Sequence, residues 1–356
     1  MKEKIISILF VIFITTFFII NIISKDILIS DTERRKLSQF PPLNFENIMD
    51  GSFKEDFDNY TTDQFVFRNN FRNIKANINY KVFRKLDNNG IFVIDDYIFK
   101  SEYPTNIKSI DNFINKINSI GSNFTENNKV YYSIIPDKNY YINNNKYLNI
   151  DYDLLFEKVK NIKYNYIELR DILNLNDYYK TDTHWKQENL NKVVNHLGKS
   201  MNFSINSNYQ KNIFDNFYGV YYGQSALNIK PDKISYLIND TILNAKVNYF
   251  ENKNINSVYV KENLNNVDKY DIFLDGASSY IEITNPNNTS GRELVIFRDS
   301  FGSSLAPLLI EAYSKITLID TRYINKDTYL NMLEFTNQDI LFLYSTLIVN
   351  SSSILK

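Results

Sequence analysis

An α/β protein, a parallel sheet flanked by helices, is predicted by three features of the sequence. The C-terminal stretch 291–356 alternates "ELVIF", "GSSLAPLLIEAY", "KITLID", "KDTYLNMLEF" and "DILFLYS", which reads as βαβαβ. Its strand-like runs are short and continuously apolar, as parallel strands covered on both faces require. Earlier, "KVYYSIIPDK", "LLFEKVK" and "YIELRDIL" repeat the order strand, helix, strand.

Taken in order, Lys2 and Lys4 precede "IISILFVIFITTFFIINII", Ile5 to Ile23, interrupted only by Ser7, Thr15, Thr16 and Asn21. A helix of that length rises about 28 Å, enough to cross the hydrocarbon core. No Ala precedes Ala76, and Ser24 follows bulky residues, so an uncleaved signal-anchor over 1–24 fits better than a cleaved signal peptide. The expected placement is a single-pass membrane protein with the bulk of the chain outside the cell. Residues 25–85 form a juxtamembrane arm, with extended backbone at Pro41-Pro42, followed by helices with Phe and Tyr at helical spacing. From 86 to 202 comes the first part of the α/β domain. "GIFVIDDYIFK" reads as a hairpin around Asp95-Asp96, and "IKSIDNFINKINSI" as an amphipathic helix ending at Gly121. Over 203–290 the pieces "ISYLI", "AKVNYF", "SVYVKE" and "YIEIT", separated by Asn-rich turns, predict a mainly β insertion.

Composition narrows the function classes. With 44% hydrophobic and 23% charged residues the chain can bury a core. Its 40 basic and 41 acidic residues leave no surplus of positive charge for a nucleic-acid partner. Cys is absent, which excludes disulfides, thiolate metal sites and a cysteine nucleophile. With two His and no Cys, a zinc site would need several carboxylates, so no metal and no cofactor is expected.

The residues suited to chemistry are few. In "LVIFRDSFGSSLAPLL", Ser300 falls between the C-terminal end of a strand and a helix, where open α/β sheets place their sites. Nearby helix N–H groups can stabilise an oxyanion there, and Gly302 relieves crowding at the turn. "DS" before a helix is equally the signature of an N-cap, so position alone leaves both readings open. A serine nucleophile needs a base, and the base an orienting group. In "TDTHW", Asp182 and His184 lie two apart and project to one face of an extended backbone, so the carboxylate can hold the imidazole. His196 sits in an amphipathic helix with no carboxylate within two residues and reads as structural, so any Ser-His mechanism points to His184. Arg322 and Tyr323 follow the next strand and can reach a bound anion, or Asp320 can hold Arg322. Arg298 and Asp299 brace the turn before Ser300.

The order of "ERRKLSQFPP", "DGSFKEDFDNYTTDQFVFR", "DTHW", "DSFGSSLAPLL", "ITLIDTRY" and "DILFLYS" resembles the DHHW proteins of Firmicutes. These are related to the SGNH-hydrolase-like acyltransferases of alginate O-acetylation. The resemblance implies an SGNH-hydrolase-like fold with circularly permuted motif order. Asp182 would orient, His184 act as base and Ser300 as nucleophile, with Gly302, Arg322, Tyr323 and Trp185 as oxyanion or substrate-binding candidates. It further implies O-acyl (acetyl) transfer to a polysaccharide acceptor, with a membrane-bound O-acyltransferase supplying acyl groups. A carbohydrate esterase using the same triad, or a non-catalytic glycan-binding or assembly protein, are the alternatives. Two positions depart from the pattern: Thr183, where the DHHW name has His, and Arg298, where a G-D-S motif has Gly.

Overall fold

A computed structural model describes residues 2–142, 146–206, 208–251 and 254–356. The chain divides into two units, Met1–Asn88 with Tyr222–Asn228, and Asn89–Tyr221 with Ile229–Lys356.

The first unit begins with helix α1 (Lys2–Ile23), 22 residues with none buried, long and apolar enough to cross a membrane. Beyond the Pro41-Pro42 arm and the short helix Phe45–Met49 come α2 (Ser52–Asp63) and α3 (Arg68–Asn77), the latter continued by a wider turn over Ile78–Val82. The "ERRK" and "TTDQFVFR" stretches are two halves of one polar lock. Arg35 donates to both oxygens of Asp63, at 2.8 and 2.5 Å, the Ser38 N–H adds a bond of 2.9 Å, and Arg68 pairs with Glu33.

The second unit is built on a seven-stranded sheet. Its strands in the C-terminal part are β9 (Glu293–Arg298), β10 (Lys315–Ile319) and β11 (Asp339–Ser345), joined by β3 (Lys129–Ile135), β4 (Asn165–Tyr166), β7 (Lys246–Tyr249) and β8 (Tyr280–Thr284). The order is β4-β3-β11-β9-β10-β8-β7, and β4 through β10 pair in parallel. The parallel βαβαβ ending expected for 291–356 is present, with Ile296 opposite Leu318 on one side and Leu341 on the other.

Alternation along the strands decides the layers. Leu294, Ile296, Leu341 and Leu343 enter one core, with α6 (Asn191–Met201) and the segment 301–312 over it. Val295, Phe297, Ile340 and Phe342 enter the other, under α4 (Ile107–Ile120) and α5 (Tyr152–Val159). Because both faces are covered, these strands show no polar residue at every second place, which is why they read as unbroken apolar runs. In α4, Ile110, Phe113, Ile114, Ile117 and Ile120 are buried at helical spacing, and Asn106 caps the N-terminus through Ser109 N–H at 3.0 Å. The hairpin β1 (Ile91–Ile94) and β2 (Tyr97–Lys100) turns at Asp95 and Asp96, whose φ values of 48° and 65° suit Asp in a two-residue turn.

The structure departs from the sequence expectation in four places. The sheet is mixed, because β8 runs antiparallel to both β10 and β7. Those two strands come from the 203–290 stretch, so part of it extends the main sheet, while β5 (Gln210–Phe217) and β6 (Asp232–Ile238) pair separately as a two-stranded ladder. "SVYVKE" contributes one isolated bridge, Tyr259 to Phe273, before a 3-10 turn. "YIELRDIL" keeps only Asn165–Tyr166 in the ladder, since Glu168 closes back on the backbone and guanidinium of Arg170 at 2.9 Å and bends the chain away.

Ile296, fully buried at the centre of the sheet, tests the assignment of the core. Ile296→Ala should lower the unfolding free energy by about 2–5 kcal/mol in urea titrations, with the m-value unchanged.

Candidate active site

Ser300 stands where β9 ends, and a short helix α7 (Phe301–Leu305) follows it. The turn is fixed by Asp299. One carboxylate oxygen accepts the Phe301 N–H at 3.0 Å, and the other accepts the Ser345 N–H at 2.8 Å, from the end of the adjacent strand β11. Asp299 therefore braces two strand ends at once, as its sequence position suggested. Ser300 itself makes no side-chain cap, so the N-cap reading of "DS" is not realised through its hydroxyl.

The "TDTHW" loop reaches the same place from the other side. His184 Nε2 lies 2.8 Å from Ser300 Oγ, and His184 Nδ1 lies 2.6 Å from Asp182 Oδ1. Residues 116 positions apart in sequence are thus linked in one relay, with the imidazole between hydroxyl and carboxylate. The loop is not the extended segment expected. Asp182 Oδ1 also accepts the His184 backbone N–H at 3.0 Å, so carboxylate and imidazole are held by an Asx-type turn. The second carboxylate oxygen accepts the Val220 N–H at 2.8 Å. Burial works to raise the Asp182 carboxyl, but the charge and hydrogen bonds of His184, with the N–H groups of His184 and Val220, offset it. Together they hold the group well below the usual carboxylate range.

Several residues that sequence reasoning did not single out shape this site. Lys138, buried at the end of β3, donates to the carbonyls of Tyr179, Lys180 and Asp182 at 3.1, 3.1 and 2.7 Å. Asp232 grips the other edge of the loop through the N–H groups of Lys180 and Thr181, at 2.9 and 2.8 Å. Tyr270 stacks on the His184 ring, centroids 3.8 Å apart and planes 7° from parallel, which limits rotation of the imidazole. Gly219 packs so closely that a Cβ there would run into Asp182 Cβ and the Thr181 carbonyl oxygen. With only 9 Gly in the chain, that position was the one signal available; nothing local marks Lys138 or Tyr270.

The other predicted residues divide. Trp185 is fully buried, with its indole N–H shared between Phe301 O at 3.1 Å and Ser304 Oγ at 2.8 Å, so it supports the Ser300 turn from within the core. Gly302 donates its N–H to Asp299 O at 3.1 Å, and Phe301 and Ser303 also use theirs within the turn, so the expected oxyanion donors of this helix are engaged. The part Gly302 plays is steric, since a Cβ there would lie 2.8 Å from Arg298 Cβ. Arg322 is held by Asp320 through two bonds of 2.9 and 2.6 Å, the alternative to an anion site, while Tyr323 is exposed. Arg298, in the place of a Gly, is buried, donates to Ser303 Oγ at 2.8 Å and lies 3.8 Å from Asp320. It runs beneath the turn and leaves Ser300 Oγ within hydrogen-bond distance of His184. Thr183 is half-buried beside the Tyr221 phenol. His196 lies half-buried on α6.

The DHHW protein family matches residues 90–319, a span that holds every member of the relay. The chain belongs to the DHHW family. A DHHW family protein from Eubacterium siraeum is similar in structure, with a TM-score of 0.62 at 20% identity over 75% of this chain and 95% of that one. Bacillus cereus PatB1 with a sulfonyl adduct is similar over 73% of this chain and 97% of its own, with a TM-score of 0.59 and 16% identity. The O-acetyltransferase domain of Pseudomonas putida AlgJ gives a TM-score of 0.46 at 10% identity, over 73% and 92% of the two chains. No curated protein matches the sequence. The α/β fold of this DHHW protein is thus shared with proteins whose sequences have diverged widely.

Two outcomes check the geometry. Gly219→Ala should displace Asp182 and slow modification of Ser300 by a serine-directed fluorophosphonate, while far-UV circular dichroism stays unchanged. Burial pushes the Lys138 ammonium down to about 7, against the pull of the Asp182, Asp232 and Asp137 carboxylates. An unfolded lysine keeps its proton to about pH 10.4. Between those values the unfolded chain binds the extra proton, so the contribution of Lys138 to stability rises with pH across that window. Urea titrations from about pH 7 to about pH 9.5 should show this rise, and Lys138→Met should flatten it.

Proposed function

We propose that this DHHW protein is a membrane-anchored, extracytoplasmic O-acyltransferase that moves an acyl group, most simply acetyl, onto hydroxyls of a polysaccharide. The observation that carries the reading is the Asp182–His184–Ser300 relay, with contacts of 2.6 and 2.8 Å. The resemblance of the sequence motifs to alginate O-acetylation proteins supports the choice of acyl transfer. The sulfonyl adduct in PatB1 supports a reactive nucleophile on this fold, because sulfonyl electrophiles attach to activated hydroxyls. The apolar helix α1 supports the anchor, and a membrane-bound O-acyltransferase is the proposed acyl supplier.

In the first half-reaction Ser300 Oγ attacks the acyl carbonyl carbon while His184 Nε2 accepts its proton. The donor's leaving group then takes that proton, and an acyl-serine ester remains. In the second, His184 accepts the proton of an incoming sugar hydroxyl, whose oxygen attacks the ester and releases Ser300 to regain the proton. Asp182 stays ionised throughout. It fixes the tautomer with Nε2 free and stabilises the imidazolium of each step. Tyr270 holds the ring in the plane that serves both proton transfers.

The test is transfer of labelled acetyl from an activated ester to an oligosaccharide. Ser300→Ala and His184→Ala should each lower transfer by on the order of 10⁴-fold, and Asp182→Asn by about 10³- to 10⁴-fold. His196→Ala should leave it unchanged. Label released only to water, with the sugar present, would instead identify an esterase. Absence of acyl-serine and of fluorophosphonate labelling in folded protein would refute both enzymatic readings.

A further inference from the structure

The first unit carries a helix whose amphipathicity is inverted. Over 68–82 the side chains facing inward are polar or small. Arg68 pairs with Glu33, Arg72 donates to Gly223 O at 2.9 Å, Asn73 donates to Ala226 O at 2.8 Å, and Ala76 is fully buried. The outward stripe is apolar, with Phe71, Ile74, Ile78 and Val82 exposed at 45, 52, 40 and 68%. A helix in water places such a stripe against a core. Its exposure here calls for an apolar environment outside the chain.

Two further observations identify that environment. The stripe continues the surface of α1, since the ring of Phe17 meets those of Phe65, Phe67 and Phe71 with centroids 6.1, 6.5 and 6.2 Å apart. Asn21, the polar interruption near the end of α1, accepts the Val66 N–H at 2.9 Å and fixes this junction. Phe17 precedes the end of α1 by six residues, about 9 Å of rise, so rings packed on it lie at the hydrocarbon edge when α1 spans a bilayer. A groove of about 840 Å³, lined by Phe13, Phe17, Phe40, Phe57, Phe65 and Phe71, opens along the same flank. The second observation is charge. Residues 68–86 hold six basic side chains and no Asp or Glu, and Lys75, Lys81, Arg84 and Lys85 are exposed beside the stripe. Long cationic side chains flanking an apolar stripe suit a leaflet rich in anionic headgroups.

We infer that the segment 65–86 lies in the membrane interface as a second, in-plane anchor, with its apolar stripe among acyl chains and its lysines on anionic lipid headgroups. This placement follows from α1 and the stripe alone, so it stands or falls independently of the proposed chemistry.

The cysteine-free chain allows single labels. Full-length protein with Ile74→Cys, Ile78→Cys or, as control, the exposed Glu157→Cys is spin-labelled and placed one copy per nanodisc. The discs contain equimolar phosphatidylcholine and phosphatidylglycerol, or phosphatidylcholine alone. Labels at 74 and 78 should lose collisions with a water-soluble nickel chelate and gain collisions with oxygen, while the label at 157 keeps its water-like response. The triple substitution Lys75→Glu, Lys81→Glu and Lys85→Glu should restore chelate access in the anionic discs. An unchanged far-UV circular dichroism spectrum serves as the control for folding. Chelate access at 74 and 78 equal to that at 157 overturns the inference. So does protection that appears only when several copies share a disc, which marks a protein–protein surface. Protection that is equal in both lipids and insensitive to the charge reversal overturns the anionic-lipid assignment.

Discussion

The Asp182 carboxylate sits almost out of reach of water and is nevertheless fully occupied. One oxygen takes both the ring and the backbone N–H of His184, and the other takes the N–H of Val220. A buried carboxylate is costly unless its acceptor sites are filled, and filling them fixes the imidazole in position and tautomer. The rest of the site depends on this saturation. The loop that delivers it is held from below by Lys138 and from the side by Asp232, and its ends meet at the bridge between Tyr178 and Trp185. Gly219 is the point where bulk would break the arrangement, because the Val220 N–H reaches Asp182 only if nothing stands between them.

Opposite the loop, the Ser300 turn is built from buried polar groups with few degrees of freedom. Arg298 lies in the interior with its guanidinium on Ser303, the Ser278 carbonyl and, at longer range, Asp320. Asp320 in turn holds Arg322. Burying a guanidinium lowers the affinity of Arg298 for its proton, and Asp320 is the largest influence that opposes this. Charge networks of this kind contribute little net stability, but removing one member leaves the others unpaired, which makes the turn geometrically stiff. Stiffness is what a relay with hydrogen-bond distances at both ends needs.

The two units meet different demands of solvent. In the Asn89–Tyr221 and Ile229–Lys356 unit, apolar side chains alternate into two cores, and buried charge is confined to hydrogen-bonded groups such as Asp182, Lys138 and Arg298. In the Met1–Asn88 unit, arginines and carboxylates form the interior lock while phenylalanines and isoleucines face out. The same hydrophobic effect produces both patterns if the second unit is surrounded by water and the first lies partly in lipid.

Much of this was legible in the sequence. The βαβαβ ending, the hairpin at Asp95-Asp96, the helix ending at Gly121 and the apolar helix α1 follow from local periodicity and turn chemistry, which act over a few residues. Histidine scarcity left His184 as the candidate base, because composition is independent of folding. Strand partners could not be read the same way. That β7 and β8 complete the main sheet, and that "YIELRDIL" leaves it, depend on contacts far apart in the chain. The support of the site was equally hidden. Lys138 and Asp232 hold the loop backbone by hydrogen bonds, Gly219 and Tyr270 pack on Asp182 and His184, and no spacing rule links them. Trp185 looked like a substrate contact beside the histidine, but side-chain direction, set by the bridge to Tyr178, turned it into the core. The sequence by itself determined which chemical groups exist and where strands and helices begin. Only the tertiary structure decided which of those groups meet, because His184 and Ser300, 116 positions apart, are brought together by the sheet and not by any local signal.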